Sequence, residues 1–353
     1  MEDLSPIYVP GRNELRRAGD LIARGNPTDQ ELNDALTSIN AWRSLHIYPI
    51  DAFQKTLKAR CKKIEFSDFT VAQRLKRMPS IISKLKRFDK MNLARMQDIG
   101  GVRIILPNIK DVYRLHSELI SANNRFSHTP ILPPTDHIMQ PKDDGYRSLH
   151  QIFNYKSRDH AELDGLKIEL QIRTELQHAW ATAVETLDTI ENTSIKSGLG
   201  SADYRRFFLL ASSLFAIKEK VPVCKELSNL SPQSIALEAK KIESELKIFN
   251  KLKGVSIATR NIETISKKKS AYHIIHLLPD EGFVRVYSYK KNELEEAKRQ
   301  YKQLEIDDKG NKSDIVLVSV GDIKMLKKAY PNYFLNTDRF TKELQNSFRN
   351  HIK

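Results

Sequence analysis

The sequence predicts an α+β protein, in which a mixed β-sheet unit flanked by helices is followed by a helical connector and a small α+β unit. Three observations carry this. Strand-like runs at GVRIIL (101–106), YRSLHQIFNY (146–155) and LKIELQIRT (166–174) are interleaved with helical spacing. From about Tyr204 to Leu252 the pattern is helical throughout. The last hundred residues then return to strand patterns at YHIIHLL, FVRVYSY and DIVLVSV. The expected units are therefore 1–200, 201–260 and 261–353.

Taken in order, NPTDQELNDALTSINAWRSLH opens with Thr28 and Glu31 at capping-box spacing and continues as a helix. Tyr48-Pro49 interrupts it, and a second helix is expected from about Asp51 to Lys63, with Trp42 and Phe53 in the core of the pair. Met78-Pro79-Ser80 places a proline at the start of a further helix. A helix near 110–122 and a Pro-rich loop, HTPILPPTD, separate the first two strands. A long helix follows from Glu175 to about Thr189, and ENTSIKSGLGSAD marks a break at 191–203. In the last unit a charged helix covers 291–303 and a final helix about 337–350.

The 353 residues carry 58 Lys and Arg against 44 Asp and Glu, a net charge of +14, which favours polyanionic partners such as phosphate-rich substrates or nucleic acid. The two cysteines, Cys61 and Cys224, build neither a disulfide framework nor a Cys-based zinc site. The N-terminal stretch has no apolar h-region, and no stretch approaches 18 apolar residues, so a soluble, cytoplasmic protein without a membrane partner is expected.

Four segments carry chemistry. Between Phe69 and Phe88 lie Arg74, Lys76, Arg77, Lys84, Lys86 and Arg87 and no acid. Arg74 and Lys76 precede the proline-started helix, on which Ser80 and Lys84 stand one turn apart. Free N–H groups and the positive dipole end there favour a polyphosphate, unless the cluster is simply a solvated basic face. In ARMQDIGGVRIIL, Asp98 stands at the entrance of a strand behind Gly100-Gly101, as a cap or as half of a metal site. In KDDGYRSLHQIF, Tyr146 is suited to stack on a base and His150 to reach a phosphate, although an ordinary edge strand explains them as well. In IELQIRT, alternation puts Glu169, Gln171 and Arg173 on the polar face. Glu169 is the second carboxylate that would make Asp98 part of a Mg²⁺ site, since this ion takes one or two carboxylates plus substrate phosphates.

The order Arg74-x-Lys76-x-x-x-Ser80-x-x-x-Lys84, DIGGVRI, GYRSLH and ELQIRT resembles the synthetase domain of RelA/SpoT homologues over residues 70–180. The resemblance implies a nucleotidyltransferase-like domain that transfers the β,γ-pyrophosphate of ATP to a 3′-hydroxyl with Mg²⁺, releasing AMP. It implies that Arg74, Lys76, Ser80 and Lys84, with Arg103, hold ATP. Asp98 and Glu169 would hold Mg²⁺, and Glu169 would also activate the attacking hydroxyl. Tyr146 would stack on the acceptor base, with Lys142, His150, Gln171 and Arg173 on the acceptor side. No His-Asp dipeptide occurs and the segment ahead of Arg74 is short, so the hydrolase half of long family members is not expected. Nor is their long carboxy-terminal regulatory region, which leaves a small alarmone-synthetase type with an extra unit.

That extra unit contains MLKKAYPNYFLNTDRF, with Tyr330 and Tyr333 as Tyr-x-x-Tyr. A helix end broken by Pro331 would explain the aromatics by packing alone. The motif also resembles the CapRel group of fused toxin–antitoxin proteins. There the tail covers the ATP site, a phage structural protein relieves the inhibition, and the acceptor is the 3′ CCA end of tRNA. The expectation is a self-inhibited tRNA pyrophosphokinase; the alternatives are a GTP/GDP pyrophosphokinase making (p)ppGpp with a regulatory or oligomerisation tail, and a non-catalytic nucleotide-binding sensor. The intact set of Asp98, Tyr146 and Glu169 speaks against the sensor.

Overall fold

The computed structural model describes residues 8–88, 91–121, 126–191, 201–258, 262–265, 270–278, 283–308, 314–319, 326, 330 and 337–352. Three helices come first: α1 (Arg12–Arg24), α2 (Asp29–Leu45) and α3 (Ile47–Lys63). Thr28 caps α2 through its side chain and Glu31 reaches back to the Thr28 backbone, as the spacing predicts. Helix α3 starts four residues earlier than expected. Pro49 falls in its first turn, where a missing N–H costs nothing. Phe53 is fully buried and Trp42 packs half-buried against the same core.

The first sheet runs β1 (Thr70–Leu75), β2 (Gly100–Leu106), β5 (Lys167–Thr174), β4 (Leu149–Asn154) and β3 (Thr129–Asp136) in spatial order. Only β2 and β5 are parallel; the other pairs are antiparallel. Helices α4 (Met78–Arg87), α5 (Ile109–Ile120) and α6 (Glu175–Glu191) complete this unit. Three expectations are corrected. The Pro-rich HTPILPPTD is not a loop but the edge strand β3, irregular between Ile131 and Thr135; an edge tolerates proline because one side of the strand has no ladder to feed. Strand β4 begins at Leu149, so Tyr146 precedes it rather than lying on it. Strand β1 has no counterpart in the sequence reading: TVAQRL is buried at five of six positions and shows no alternation.

Glycines fix two approaches. A Cβ on Gly100 would stand 2.9 Å from Ile168 Cδ1, whereas one on Gly101 would meet nothing closer than 3.7 Å. Gly145 has φ +89° and lies against Ser212, whose hydroxyl donates to the Gly145 carbonyl and holds the loop ahead of Tyr146.

Helices α7 (Ala202–Glu219), α8 (Pro232–Leu246) and α9 (Ile248–Ala258) form the connector. Most of the predicted break, 192–200, lies outside the described residues. The second sheet has the order β6 (Ile262–Ile265), β8 (Phe283–Tyr289), β7 (Tyr272–Leu278), β9 (Asp314–Ser319), with α10 (Leu294–Asp307) against it. This sheet meets the first through β9 and β1: Ala72 of β1 shares a core with Ile275, Val316, Val318 and Tyr330. Helix α11 (Asp338–His351) leaves that unit and returns to the connector, where Phe340 packs on Phe207, Phe208 and Phe215.

Phe340 is fully buried, so Phe340→Ala should destabilise the protein by about 3–5 kcal/mol. Urea denaturation followed by Trp180 fluorescence checks this, since Trp180 stacks edge-on against Phe208 in the same cluster. A loss below about 1 kcal/mol would show that α11 is not part of that core.

Candidate functional site

The parallel pairing of β2 and β5 sets Gly101 opposite Glu169 and Arg103 opposite Gln171. Antiparallel pairing with β4 sets His150 on the other side of Gln171. Side chains from three strands therefore share one face.

Asp98, two residues ahead of β2, accepts hydrogen bonds from Lys76 Nζ and Lys84 Nζ, both at 2.9 Å and one on each carboxylate oxygen. Burial alone would raise its pKa, but the two ammonium groups outweigh burial and hold it down at about 2. Burial also pushes the Lys76 ammonium below its ordinary value, against the pull of Asp98. Lys84 reaches Asp98 because α4 starts at Met78-Pro79 and presents it at the end of its second turn, one turn beyond Ser80.

Glu169 is held from two sides, Oε1 by His150 Nδ1 at 3.0 Å and Oε2 by Gln171 Nε2 at 2.7 Å. Burial opposes its charge, yet these bonds keep its pKa below the ordinary value. The charge of Asp98 acts on it in the opposite sense, which marks the two carboxylates as neighbours. His150 Nε2 lies 2.9 Å from the Tyr146 hydroxyl. Burial would lower the imidazole, but the Tyr146 oxygen and Glu169 raise it to about 9. Burial would raise the Tyr146 phenol, but His150 and Arg173 bring it to about 8, so His150 and Tyr146 titrate as a pair. His150 thus spends both ring nitrogens inside the site. The expectation that it reaches a phosphate would require one of these two bonds to open.

Tyr146 is half-buried, with its ring edge-on to His137, His150 and Trp180 and with Lys142 Nζ 5.0 Å from its centroid. A base stacking on the open face would displace Lys142, an exposed side chain. Arg173 does not line an open surface: it is buried and donates from Nη2 to His178 Nδ1 at 2.8 Å. Burial, then Arg103, pulls the Arg173 guanidinium down to about 9.

Arg74, Arg103 and Gln171 line a small pocket with Ala72, Gln73, Gly101, Val102 and Tyr330. Arg103 is half-buried, burial lowers its pKa, and its Nε atom is buried with no hydrogen-bond partner. A buried guanidinium nitrogen left unpaired beside a cavity favours an anion there. Tyr330 closes the pocket from the second unit. Its hydroxyl accepts from the Gln73 N–H at 2.6 Å and donates to the Gln73 carbonyl. Tyr333 lies outside the described residues.

Two contributors were missed by the sequence reading. Gln73 supplies backbone, which no residue pattern advertises. Arg43 on α2 donates from Nε to the Lys76 carbonyl at 2.9 Å. Its signal was present: Ala35, Ile39 and Arg43 form one buried stripe at four-residue spacing, and a cation at an apolar stripe position calls for partners.

With this geometry in place, residues 73–187 match the protein family described as the region found in RelA / SpoT proteins. GTP pyrophosphokinase YwaC of Bacillus subtilis (strain 168) is 33% identical over 114 residues, 31% of this chain and 52% of that protein. GTP pyrophosphokinase YjbM of the same strain is 27% identical over 164 residues, 46% of this chain and 70% of that protein. The chain thus spans about half the length of the first of these relatives. The crystal structure of small alarmone synthetase 1 from Bacillus subtilis is 25% identical and covers 51% of this chain and 93% of that one, with a TM-score of 0.41. No described helix is long and apolar enough to cross a membrane.

His150, paired with Tyr146 and Glu169, has a pH signature. Because the folded-state pKa of His150 is raised from 6.5 to about 9, its stabilisation is complete below about pH 6.5 and is lost as pH rises through about 9. The melting temperature should therefore fall across pH 6.5 to 9 in the parent and fall less in His150→Gln. Parallel curves for the two proteins would show that the pair is not formed.

Proposed function

We propose that this chain transfers the β,γ-pyrophosphate of ATP to the 3′-hydroxyl of a guanosine nucleotide, GTP or GDP, and releases AMP. The observation that carries the reading is an ionised Glu169, fixed by His150 and Gln171, beside a lysine-clamped Asp98 and an arginine-lined pocket. The names of the two curated relatives support GTP or GDP as acceptor over the tRNA 3′ end. The +14 charge keeps the tRNA end as the second acceptor to assay.

In this reading Arg74 and Arg103 take phosphate oxygens in the pocket, and Lys76 and Lys84 exchange Asp98 for the polyphosphate. The acceptor base stacks on Tyr146. Glu169 lies where it can take the proton from the 3′-hydroxyl, whose oxygen forms a bond to the β-phosphorus as the bond to the α-phosphate breaks and AMP leaves. The catalytic contributions are positioning and charge neutralisation. Two neighbouring ionised carboxylates, Asp98 and Glu169, are a hard-oxygen donor set that fits Mg²⁺ together with substrate phosphates. When bound there, the ion supplies charge neutralisation of the phosphates.

We infer in addition that Tyr330 is an inhibitory plug: it walls the arginine pocket from the second unit and its hydroxyl saturates both backbone groups of Gln73. A phage structural protein that withdraws it is the corresponding trigger to assay. Deleting everything beyond residue 260 would be a poor test, because α11 belongs to the connector core. A point substitution is cleaner.

Two outcomes are expected with γ-labelled ATP and GTP, GDP or tRNA as acceptors. Glu169→Gln should lower transfer by roughly two to three orders of magnitude without loss of fold, and near-normal turnover would remove Glu169 from the reaction. Tyr330→Ala in the full chain should raise transfer roughly tenfold or more, since a docked state favoured by a few kcal/mol leaves the open state at the per cent level. Unchanged activity in that variant would make the tail an assembly or activating module.

A further inference from the structure

The second unit reaches the 73–76 segment directly through Tyr330 and indirectly through an arginine of α2. That arginine, Arg43, is 2% exposed and fully engaged. Its Nε donates to the Lys76 carbonyl at 2.9 Å and its Nη1 to Asn40 Oδ1 at 2.8 Å. Nη1 also meets Glu305 Oε2 at 2.9 Å, and Nη2 meets Glu305 Oε1 at 3.0 Å and the Tyr301 hydroxyl at 3.1 Å. Glu305 and Tyr301 belong to α10, and the Tyr301 hydroxyl also donates to Glu305 Oε1 at 2.7 Å. A bidentate carboxylate fixes the plane of a guanidinium, and a fixed plane aims Nε in one direction. That direction is the backbone of the residue whose ammonium holds Asp98.

We propose that Arg43 is a positioning residue that transmits the docking of α10, through the Glu305 carboxylate, to the backbone of Lys76 and so sets where the Lys76 ammonium stands. The identity of the ligand that Lys76 serves, a nucleoside triphosphate, rests on the function proposed above; the mechanical link does not. A buried guanidinium without its carboxylate has to find other acceptors or leave. When α10 lifts, Arg43 loses its only carboxylate partner among the described residues, and the Lys76 segment loses the clamp on its carbonyl. On the other side of the same peptide segment the Lys76 N–H donates to the Ile99 carbonyl at 2.8 Å, which gives a reporter independent of any ligand. Lysine cannot replace Arg43, because a single ammonium lacks the planar fork that reaches the Lys76 carbonyl and both Glu305 oxygens together.

Two measurements on the full-length chain test this. In hydrogen exchange without nucleotide, Glu305→Gln and Arg43→Lys should each speed exchange of the Lys76 amide about tenfold, while the amides of β5 keep their parent rates. An unchanged Lys76 amide in folded Glu305→Gln protein overturns the proposal, and so does equal acceleration throughout the sheet. The second measurement is the affinity for a non-hydrolysable ATP analogue by calorimetry. Tyr330→Ala serves as the parent so that the pocket is open. Adding Glu305→Gln should weaken binding about fivefold, and that effect should vanish when Lys76→Ala is also present. The same fivefold loss with and without Lys76 overturns the proposal. If the analogue binds none of the proteins, the proposed function fails while the exchange experiment still decides the role of Arg43.

Discussion

The parallel pairing of β2 with β5 is the constraint on which the site depends. It brings the strand entered at Asp98 beside the strand that carries Glu169, although 70 residues separate them in the chain. The tight fit of Gly100 against Ile168 sets how closely the two strands meet. A slip of one residue would turn Glu169 and Gln171 into the core and bring Ile168 and Leu170 out, so register and site stand or fall together. Among the described residues of the site, the one other special backbone position is Gly145, at φ +89° ahead of Tyr146. The remaining members come from a strand entrance, the face shared by β2, β5 and β4, and one helix.

Charge compensation is the second level of order. A cleft holding several buried arginines and lysines is unfavourable unless each cation has a counter-charge. Here Asp98 serves two lysines and Glu169 serves one imidazolium, while Arg103 keeps a nitrogen unpaired next to a cavity. On the proposed function, an incoming phosphate would replace Asp98 as partner of the lysines and give Arg103 its missing acceptor. On the same reading Asp98, relieved of the lysines, would join Glu169 as a donor for a hard cation.

Much of this was legible in the sequence because it depends on local patterns. Alternation in KIELQIRT gave the floor of the site, capping-box spacing gave the start of α2, and Pro79 gave the start of α4. The failures also have physical causes. Strand β1 is buried on both faces and packs against a second sheet, so it lacks the alternation that marks a half-buried strand. HTPILPPTD reads as a loop because proline disfavours ladders, yet an edge strand needs only one. The partners of His150, Glu169 and Tyr146, come from another strand and from the loop ahead of β4, and spacing within one segment carries no information about them.

The tail meets the candidate site at a single short segment. Tyr330 satisfies both backbone groups of Gln73, and α10, through Arg43, holds the carbonyl of Lys76. Both contacts fall on the same short stretch of β1 and its exit, and Arg74, which lines the pocket, lies between them. Because β1 is an edge of the first sheet, it has a free side on which a second unit can dock. An edge strand also has fewer neighbours to resist displacement than a central one. The strand that carries Arg74, with Lys76 at its exit, is therefore one of the two edges of the sheet open to contact from outside, and the second unit is docked there.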